Sequence, residues 1–509
     1  MSGVHVRCFF FTLTAAAALL VAHGHGQSAI EPRTFLYPYS LRAVDQGLSS
    51  VTLDRSGSAG STYIAGRVIV KFRDGTSTAA RIKSLSLVST AAVSERPSYA
   101  NFDLVRIDPN DDAEAVAEAL RQRPDVEYAQ AAYRVHAEMV PNDQYYALQW
   151  NLPMLDLERA WDIQGTAGSS VTVAVLDSGI AFQNAVVRFS ARAFRDDLGN
   201  LHPAVGAVDI PFAAASDLFS SSRFVLPHDF IWDDNLPLDL DSHGTHVSGT
   251  IGQLTNNAVG AAGVAFNVKL MPVKVIDSDW DDIFGAPNQG TDDVVARAIR
   301  YAADNNAKVI NMSIGRTGPP SPVVEDAIKY AVGKGAFIVI AAGNDFEDGN
   351  PTEVLAEIAS RVQGAVSVAA VDRAKNHAFY SSAGSWVELA APGGDGRVLG
   401  LNGLVIQQTV DLRFGACMVT PRACGVTPSF AAPRFDVFAF FGFQGTSMAA
   451  PHVSGLAAML IQQGITSPAA VEAALERFAT DLGDPGRDNL FGYGLVEARD
   501  TLRGLGLAR

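Results

Sequence analysis

The feature of this sequence that most constrains its fold is an alternation of short Val/Ile-rich runs with helical segments between residues 171 and 344. The apolar runs are VTVAVLD (171–177), VKLMPVKVI (268–276), AKVINMSIG (307–315) and AFIVIAAGN (336–344). The segments between them predict helices that begin near His246, after Thr291 and at Pro322. Apolar strands that alternate with helices are typical of parallel sheets covered on both faces. We therefore predict an α/β fold with a doubly wound, mostly parallel sheet flanked by helices.

A smaller periodic region precedes this sheet. RVIVKF (67–72), FDLVRID (102–108) and VEYAQAA (126–132) have the composition of strands. A helical stretch around 78–87 and the amphipathic segment 112–123 separate them. A β-α-β-α-β run of this size predicts a small α+β domain with the ferredoxin-like plan.

The first residues have the composition of an export signal. One positive charge precedes the apolar stretch CFFFTLTAAAALLVA (8–22), and the small residues Gly24 and Gly26 suit cleavage. We predict a signal peptide over 1–26 and hence a secreted protein, with a buried N-terminal helix as the alternative. The stretch is short for a membrane span, and we expect none later in the chain. The net charge of −15 argues against nucleic acid as a partner, because phosphate contacts need clustered Lys and Arg.

Two cysteines remain once the predicted signal, which contains Cys8, is removed. Cys417 and Cys424 are separated by six residues. In an exported protein such a pair predicts a small-loop disulfide, with two free thiols as the alternative. A metal site there is not expected, because no further His or Cys lies nearby in the sequence.

The stretch GFQGTSMAAPHVSG (442–455) permits two interpretations. In the first, Thr446 is the N-cap of a helix, and Pro451 lacks the N–H that would have bonded the Ser447 carbonyl. The helix then opens loosely around Ser447. In the second, Ser447 is a nucleophile at a helix start, where backbone N–H groups and the positive end of the helix dipole favour an oxyanion. The second interpretation requires a base and an orienting acid elsewhere in the chain.

Both groups are available at strand ends and helix starts. Asp177 closes the run VTVAVLD, and His243 lies in DLDSHGTHVSGT. Taken singly, each has a purely structural interpretation. Asp177 could cap the end of a strand, His243 could be a polar residue with its hydrogen bonds satisfied, and Ser447 could be a helix N-cap. At one edge of a sheet they form an acid–base–nucleophile set: the acid fixes the imidazole tautomer, the imidazole takes the serine proton and the serine attacks a carbonyl. Asn344, which follows AFIVIAAG, adds an amide donor for an oxyanion hole.

These motifs together resemble a known family. The order Asp, His, Ser and the motifs VLDSGI, SHGTHVSGT, NMSIG, AAGN and GTSMAAPHVSG resemble the subtilisin-like serine peptidases, the subtilase family. The resemblance extends from about Asp143 to Gly494. It implies a catalytic triad of Asp177, His243 and Ser447, with Asn344 as the oxyanion donor.

The resemblance also implies a domain organisation. Subtilases of this kind are made with a propeptide that assists folding and inhibits the enzyme. Residues 64–138 resemble such a propeptide, preceded by a linker over 27–63 and followed by a peptidase domain over 139–509. An independent accessory domain is the alternative for 64–138. We expect a monomer that acts on protein or peptide substrates and has its own propeptide as an intramolecular inhibitor.

Two segments are predicted to bind substrate. The first resembles an edge strand that pairs with a peptide backbone, and the second would complete the pocket for the residue before the cut bond. They contain Ser313, Ile314 and Gly315, and Ala341, Ala342 and Gly343. Small apolar walls leave room for a bulky apolar side chain. The sequence does not identify the residue at the base of this pocket.

Structural calcium is the cofactor that the resemblance implies. LTNNAVGAAG (254–263) is similar to the calcium loop of the family, and oxygen-only ligation suits calcium. The implied ligands are Asp143, Leu254, Asn257, Val259 and Ala261. The family's acidic ligand shortly after the catalytic Asp has no match in IAFQNAVVRF (180–189). The loop 228–239, with Asp229 and Asp234, is similar to a second cation loop, and an acidic surface loop is the alternative.

The functional expectation is a secreted serine endopeptidase with broad specificity that prefers apolar residues before the cut. Because the base must be a neutral imidazole, the pH optimum should be neutral to alkaline. A latent or non-catalytic binding protein that retains its propeptide is the alternative. Two long segments, 181–228 and 394–441, depart from the family pattern and flank the expected cleft, where they would shape specificity or form lids.

Overall fold

The computed structural model describes residues 63–87, 93–96, 99–133, 139–218, 220, 222–424 and 432–504. The predicted signal peptide and almost all of the predicted linker lie outside the described residues, as does 134–138. The chain forms two compact units, divided between residues 137 and 138. Among the described residues, no helix has both the length and the apolar character needed to cross a membrane.

The first unit is a four-stranded antiparallel sheet covered by helices. Its elements are β1 (Tyr63–Phe72), α1 (Thr78–Ser86), β2 (Val93–Glu95), β3 (Asp103–Arg106), α2 (Ala113–Arg121) and β4 (Val126–Tyr133). The strand order is β2-β3-β1-β4. Val68, Val70 and Phe72 alternate along β1 into a core that they share with Val116 and Leu120 of α2. This arrangement confirms the ferredoxin-like prediction, which missed only the three-residue strand β2.

The second unit contains thirteen strands among its described residues. They are β5 (Thr172–Asp177), β6 (Ala185–Ala191), β7 (Phe194–Arg195), β8 (Leu201–His202), β9 (Val205–Phe212), β10 (His228–Asp229), β11 (Lys269–Lys274), β12 (Val309–Met312), β13 (Phe337–Ala341), β14 (Ala365–Val371), β15 (Leu389–Pro392), β16 (Val405–Val410) and β17 (Phe438–Phe443). Seven of these strands form one parallel sheet in the order β10-β11-β5-β12-β13-β14-β15. The predicted α/β sheet is confirmed.

Helices cover both faces of the sheet. The helices described in this unit are α3 (Asn151–Met154), α4 (Leu157–Ile163), α5 (His243–Gly252), α6 (Asp279–Phe284), α7 (Asp292–Asp304), α8 (Pro322–Gly333), α9 (Val354–Ala359), α10 (Gly396–Leu399), α11 (Pro421–Cys424), α12 (Thr446–Gln462), α13 (Pro468–Phe478) and α14 (Ala498–Arg503). Short 3-10 turns lie at Tyr146–Leu148, Gly400–Gly403, Leu412–Phe414 and Ala416–Met418.

Alternation along the strands explains the two layers of helices. In β5, Val173 and Val175 join a core with α5 and α12, whereas Ala174 and Leu176 face a second core with α7 and α8. Both sets are fully buried, as expected for a strand with helices on each face. Because β5, β11, β12 and β13 are parallel, their carboxyl ends lie at the same edge of the sheet. Ligands bind at this edge in folds of this class.

Candidate active site

Asp177 and His243 are hydrogen-bonded at this edge. Asp177 is the last residue of β5 and is fully buried. His243 is the first residue of α5, and its Nδ1 lies 2.7 Å from Asp177 Oδ1. The same oxygen accepts the Ser178 N–H at 2.8 Å. With Nδ1 donating to the carboxylate, Nε2 is left as the proton acceptor, which is the tautomer that a general base needs.

The position of His243 depends on Asp239, which the sequence did not single out. Asp239 is buried and accepts the N–H groups of Ser242 (2.8 Å) and Thr245 (3.0 Å), and it also accepts the Ser178 hydroxyl (3.0 Å). These bonds tie the start of α5 to the end of β5. A Cβ at Gly244 would lie 2.1 Å from the Gly179 carbonyl oxygen, so only glycine permits this approach.

Carboxylates around His243 favour its protonated form. Burial alone would lower the pKa of His243, but the charge of Asp177 and its hydrogen bond, together with the charges of Asp241 and Asp239, raise it to about 9. Asp241 Oδ1 also accepts the His243 backbone N–H at 3.0 Å. The side chain of His243 is 28% exposed, so the ring lies within reach of a substrate.

Ser447 lies in the first turn of α12, and the structure corrects one detail there. The helix begins at Thr446 and its N-cap is Gly445, so Thr446 is not the N-cap that the sequence predicted. Instead the Thr446 N–H and hydroxyl both donate to Asn344 Oδ1, at 2.9 and 3.0 Å. Thr446 therefore holds the Asn344 amide, and Gly445 with its φ of 149° allows the chain to turn into the helix.

The hydroxyl and the carbonyl of Ser447 both contact Ser313. Ser447 Oγ is half-buried and donates to the Ser313 carbonyl at 3.1 Å, while Ser313 Oγ donates to the Ser447 carbonyl at 2.8 Å. In the part of the chain that the structure describes, Ser447 Oγ makes no hydrogen bond to His243. The helices that carry the two residues, α5 and α12, pack against each other.

Asn344 and the Ser447 backbone N–H lie close together, as an oxyanion hole requires. A Cβ at Gly445 would lie 3.6 Å from Ser447 N and 3.8 Å from Asn344 Nδ2. Because Thr446 occupies Asn344 Oδ1, the Nδ2 group of the amide remains available as a donor. The first N–H groups of a helix have no intrahelical acceptor, so the Ser447 N–H is available as well.

The two segments predicted to bind substrate follow neighbouring strands. Strand β12 ends at Met312 and β13 at Ala341, and the two strands are paired in the sheet. The residues after them therefore lie at the same edge as Asp177. Ala341 and Ala342 are buried, and three residues are partly exposed, namely Ile314, Gly315 and Gly343.

Glu353, which the sequence did not identify, lies against both of these segments. It is the N-cap of α9, and its side chain is almost fully buried. A Cβ at Gly315 would lie 2.5 Å from Glu353 Oε1, and a Cβ at Gly343 would lie 3.3 Å from Glu353 Cβ. Burial raises the pKa of Glu353 to about 8, although its carboxylate accepts the N–H groups of Arg316 and Leu355.

The predicted calcium loop is closed by two buried carboxylates. Asp143 accepts the N–H groups of Asn256 (2.7 Å) and Asn257 (3.2 Å). Asp217, from the segment 181–228, accepts the Ala261 N–H (2.9 Å) and the Asn257 side-chain amide (3.0 Å). It is an acidic residue at this loop that the sequence did not identify. Burial, together with the charge of Asp143, raises the pKa of Asp217.

These residues fit calcium in donor type and in charge. Neither Asp143 nor Asp217 forms an ion pair with a Lys or Arg of the described residues, so a divalent cation would neutralise two buried charges. Asn257 is the exception, because its Oδ1 accepts the Val259 N–H at 2.8 Å. Leu254, Val259 and Ala261 lie in the same loop and would contribute only carbonyl oxygens.

In the loop 228–239, the two acids singled out from the sequence differ in exposure. Asp229 is fully buried, whereas Asp234 is exposed. The adjacent cation is the ammonium of Lys274, also fully buried, which pairs with Asp281 at 2.9 Å and donates to the Leu238 carbonyl at 3.0 Å. Asp234 Oδ1 accepts the Leu236 N–H at 2.7 Å. The charge of Lys274 acts on the buried Asp229, and the second cation loop stays a prediction.

The two long segments that depart from the family pattern contact each other. Phe212 of β9 stacks on Phe435 with ring centroids 5.1 Å apart, and the Phe435 N–H donates to the Pro211 carbonyl at 3.0 Å. The antiparallel pair of β16 and β17 lies against α5, and Gln408 of β16 accepts the Asp217 N–H. Cys417 is buried, whereas the Cys424 side chain lies outside the described residues, so the Cys417–Cys424 disulfide stays a prediction.

Comparison with known proteins points to one family. The profile of the subtilase family matches residues 168–494, and that of the fervidolysin N-terminal prodomain matches residues 52–131. A thermophilic serine proteinase of Bacillus sp. (strain AK1) is 30% identical over 443 residues, which cover 86% of this chain and 88% of that protein. Subtilisin E of Bacillus subtilis is 29% identical over 448 residues, 87% of this chain and 92% of that protein.

Solved structures show the same fold. A protease of Pseudoalteromonas arctica is 28% identical with a TM-score of 0.53, covering 72% of this chain and 99% of that one. Fervidolysin of Fervidobacterium pennivorans is similar in fold, at 22% identity and a TM-score of 0.51, over 87% of this chain and 61% of that one.

Proposed function

The chain belongs to the subtilase family and is a subtilisin-like serine peptidase with an N-terminal prodomain, and on that premise we propose that it is a secreted endopeptidase. In this proposal Asp177, His243 and Ser447 form the catalytic triad, and Asn344 is the oxyanion donor. The observation that carries this assignment is the 2.7 Å bond between His243 Nδ1 and Asp177 Oδ1, which leaves Nε2 as the base.

In the proposed reaction, Ser447 Oγ attacks the carbonyl carbon of the scissile peptide and its proton passes to His243 Nε2. The resulting oxyanion is bound by Asn344 Nδ2 and the Ser447 N–H. In a subtilisin, loss of one oxyanion-hole donor costs about 3 kcal/mol of transition-state stabilisation. The C–N bond then breaks as imidazolium gives its proton to the leaving amine, and water hydrolyses the acyl-enzyme by the reverse sequence.

The substrates we propose are proteins and peptides, with broad specificity and a preference for apolar residues before the cut. The buried walls at Ala341 and Ala342 and the open glycines at 315 and 343 support this preference. The backbone of Ser313, Ile314 and Gly315 would pair with the substrate as an added strand.

We assign residues 1–26 to a signal peptide, 27–63 to a linker, 64–138 to the propeptide and 139–509 to the peptidase domain, acting as a monomer. The propeptide would serve as the intramolecular inhibitor until it is cut near residue 138. Names of relatives such as the extracellular protease of Xanthomonas campestris support export. Structural calcium at the loop of Asp143 and Asp217 belongs to the same proposal.

A serine-directed fluorophosphonate tests the assignment. Wild type should be labelled on Ser447 and should yield a mature chain that begins near residue 139. Ser447→Ala should be unlabelled and should remain uncut, whereas Ser360→Ala, which removes a hydroxyl from the end of α9, should behave as wild type. A processed wild-type chain that takes no label would contradict the proposal and would support the alternative, a latent binding protein. The relatives, which are named as proteases, do not favour that alternative.

A further inference from the structure

Glu353 is a buried acid that the proposed mechanism does not use, and it lies at the substrate edge. It is only 4% exposed. Its Oε1 accepts two N–H groups, those of Arg316 and Leu355, and no hydrogen bond to Oε2 is formed by the described residues. The nearest guanidinium, that of Arg316, is held by Asp292 in two bonds of 2.7 and 2.6 Å. Glu353 thus has no cation of its own among the described side chains.

The Glu353 carboxylate lies next to the two segments that frame the pocket for the residue before the cut bond. Both segments that frame this pocket have a glycine facing Glu353, and a side chain at Gly315 would stand within 2.5 Å of its Oε1. Gly315 and Gly343 are partly exposed, so the carboxylate lies just beneath the accessible surface between them. A long side chain that passes between the glycines would meet an acidic group at the base.

We propose that Glu353 is a specificity-determining residue at the base of this pocket and that the enzyme accepts Lys and Arg before the cut bond, in addition to apolar side chains. The inference rests on the proposed function. The apolar walls accept the methylene stem of a basic side chain, and the carboxylate pairs with its charged head. An unpaired buried carboxylate is costly, and a substrate cation would remove that cost.

The charge state of Glu353 makes the proposal testable by pH. The charged groups that act on it are Asp345, which raises its pKa, and Arg316, which lowers it. A carboxyl that titrates near pH 8 is largely neutral at pH 6.5 and largely ionised at pH 9.5. Recognition of a basic side chain should therefore increase as pH rises, with the midpoint below 8 because the bound cation favours ionisation.

The experiment compares matched peptide substrates that differ only before the cut bond, with Arg, its neutral isostere citrulline, or Leu. For the processed wild-type enzyme, we expect the ratio of kcat/KM for Arg to that for citrulline to rise at least tenfold between pH 6.5 and 9.5. In Glu353→Gln, which keeps an oxygen for the Arg316 N–H, the ratio should stay flat between the same two pH values. An Arg preference that is pH-independent, or unchanged in Glu353→Gln, would overturn the proposal.

A second measurement needs no variant. Benzamidine, a small cation, should inhibit cleavage of the Leu substrate competitively by wild type, and its inhibition constant should fall as pH rises from 6.5 to 9.5. A constant that does not change with pH, or an absence of inhibition, would contradict the role of Glu353. If neither Leu nor Arg peptides are cut and Ser447 takes no fluorophosphonate, the proposed endopeptidase itself is wrong, which is a different outcome.

Discussion

The Ser313 hydroxyl donates a 2.8 Å hydrogen bond to the carbonyl of Ser447. That carbonyl belongs to the residue four positions before Pro451, which lies inside α12 and has no N–H to donate. Ser313 therefore satisfies a carbonyl that the proline leaves without its helical partner. Asn311 Nδ2 in turn donates to Ser313 Oγ at 3.0 Å, which fixes the hydroxyl in this orientation. The first turn of α12 is held from outside the helix.

Removal of this hydroxyl should slow catalysis without weakening substrate binding. Ser313→Ala leaves the Ser447 carbonyl unsatisfied, at a cost of about 1–3 kcal/mol, and loosens the nucleophile. The backbone groups of residue 313 are unchanged, so we expect kcat to fall roughly tenfold or more with KM nearly constant. Steady-state kinetics on one peptide decides this. Ser360→Ala, which removes a similar serine-to-carbonyl bond at the C-terminal end of α9, is the control. A larger change in KM than in kcat would count against the explanation.

The pH dependence of activity should reflect the acids around His243. The base acts as neutral imidazole, so kcat/KM should rise with pH through the His243 pKa of about 9. The charge of Asp241 is one of those that raise the pKa of His243. The pKa of Asp241 itself is raised to about 7, first by burial and then by the charge of Asp239. Asp241 is therefore ionised at alkaline pH. Asp241→Asn should therefore move the midpoint of the rise downward by roughly half a pH unit or more.

The measurement is kcat/KM for the Leu peptide from pH 6 to 10. Asn keeps an oxygen to accept the His243 N–H, so the local backbone should be retained in Asp241→Asn. Asp326→Asn removes an exposed acid that pairs with Arg300 and should leave the midpoint unchanged. A midpoint that is unaffected by Asp241→Asn, or that moves upward, would show that this carboxylate does not act on the imidazole.

The sheet and the proposed triad are predictable from sequence because they depend on local signals. Apolar runs such as VTVAVLD identify strands by composition, and Asp177 and His243 follow from their positions at element ends. Glu353 and Asp217 do not. Each would gain its proposed role from a contact with a residue far along the chain, Gly315 for Glu353 and Asn257 for Asp217. Sequence spacing carries no information about such contacts.

The buried ammonium of Lys274 should be essential to stability. Lys274→Met would leave Asp281 and Asp229 buried without their cation, and the loss of one partner of a buried pair costs about 3–5 kcal/mol. Unfolding by guanidinium, followed in the Ser447→Ala background to prevent self-cleavage, measures this cost. Lys329→Met removes one partner of the exposed pair with Glu325 and should cost less than about 1 kcal/mol. Equal effects of the two variants would refute the importance of the buried pair.

Calcium should stabilise the protein through Asp217. A cation bound between Asp143 and Asp217 would neutralise two buried carboxylates in the folded chain only, so a saturating concentration raises Tm by mass action. In the Ser447→Ala background, we expect Tm to be several degrees higher in millimolar calcium than in EGTA, on the scale of about 2–3 kcal/mol for a ligand at a hundred times its Kd.

Asp217→Asn should remove most of this difference in Tm. Asp209→Asn, in the same long segment but exposed and paired with Arg188, should retain it. If Tm is the same in calcium and EGTA for wild type, the hydrogen bonds of Asp143 and Asp217 alone close the loop, and no cation is needed there.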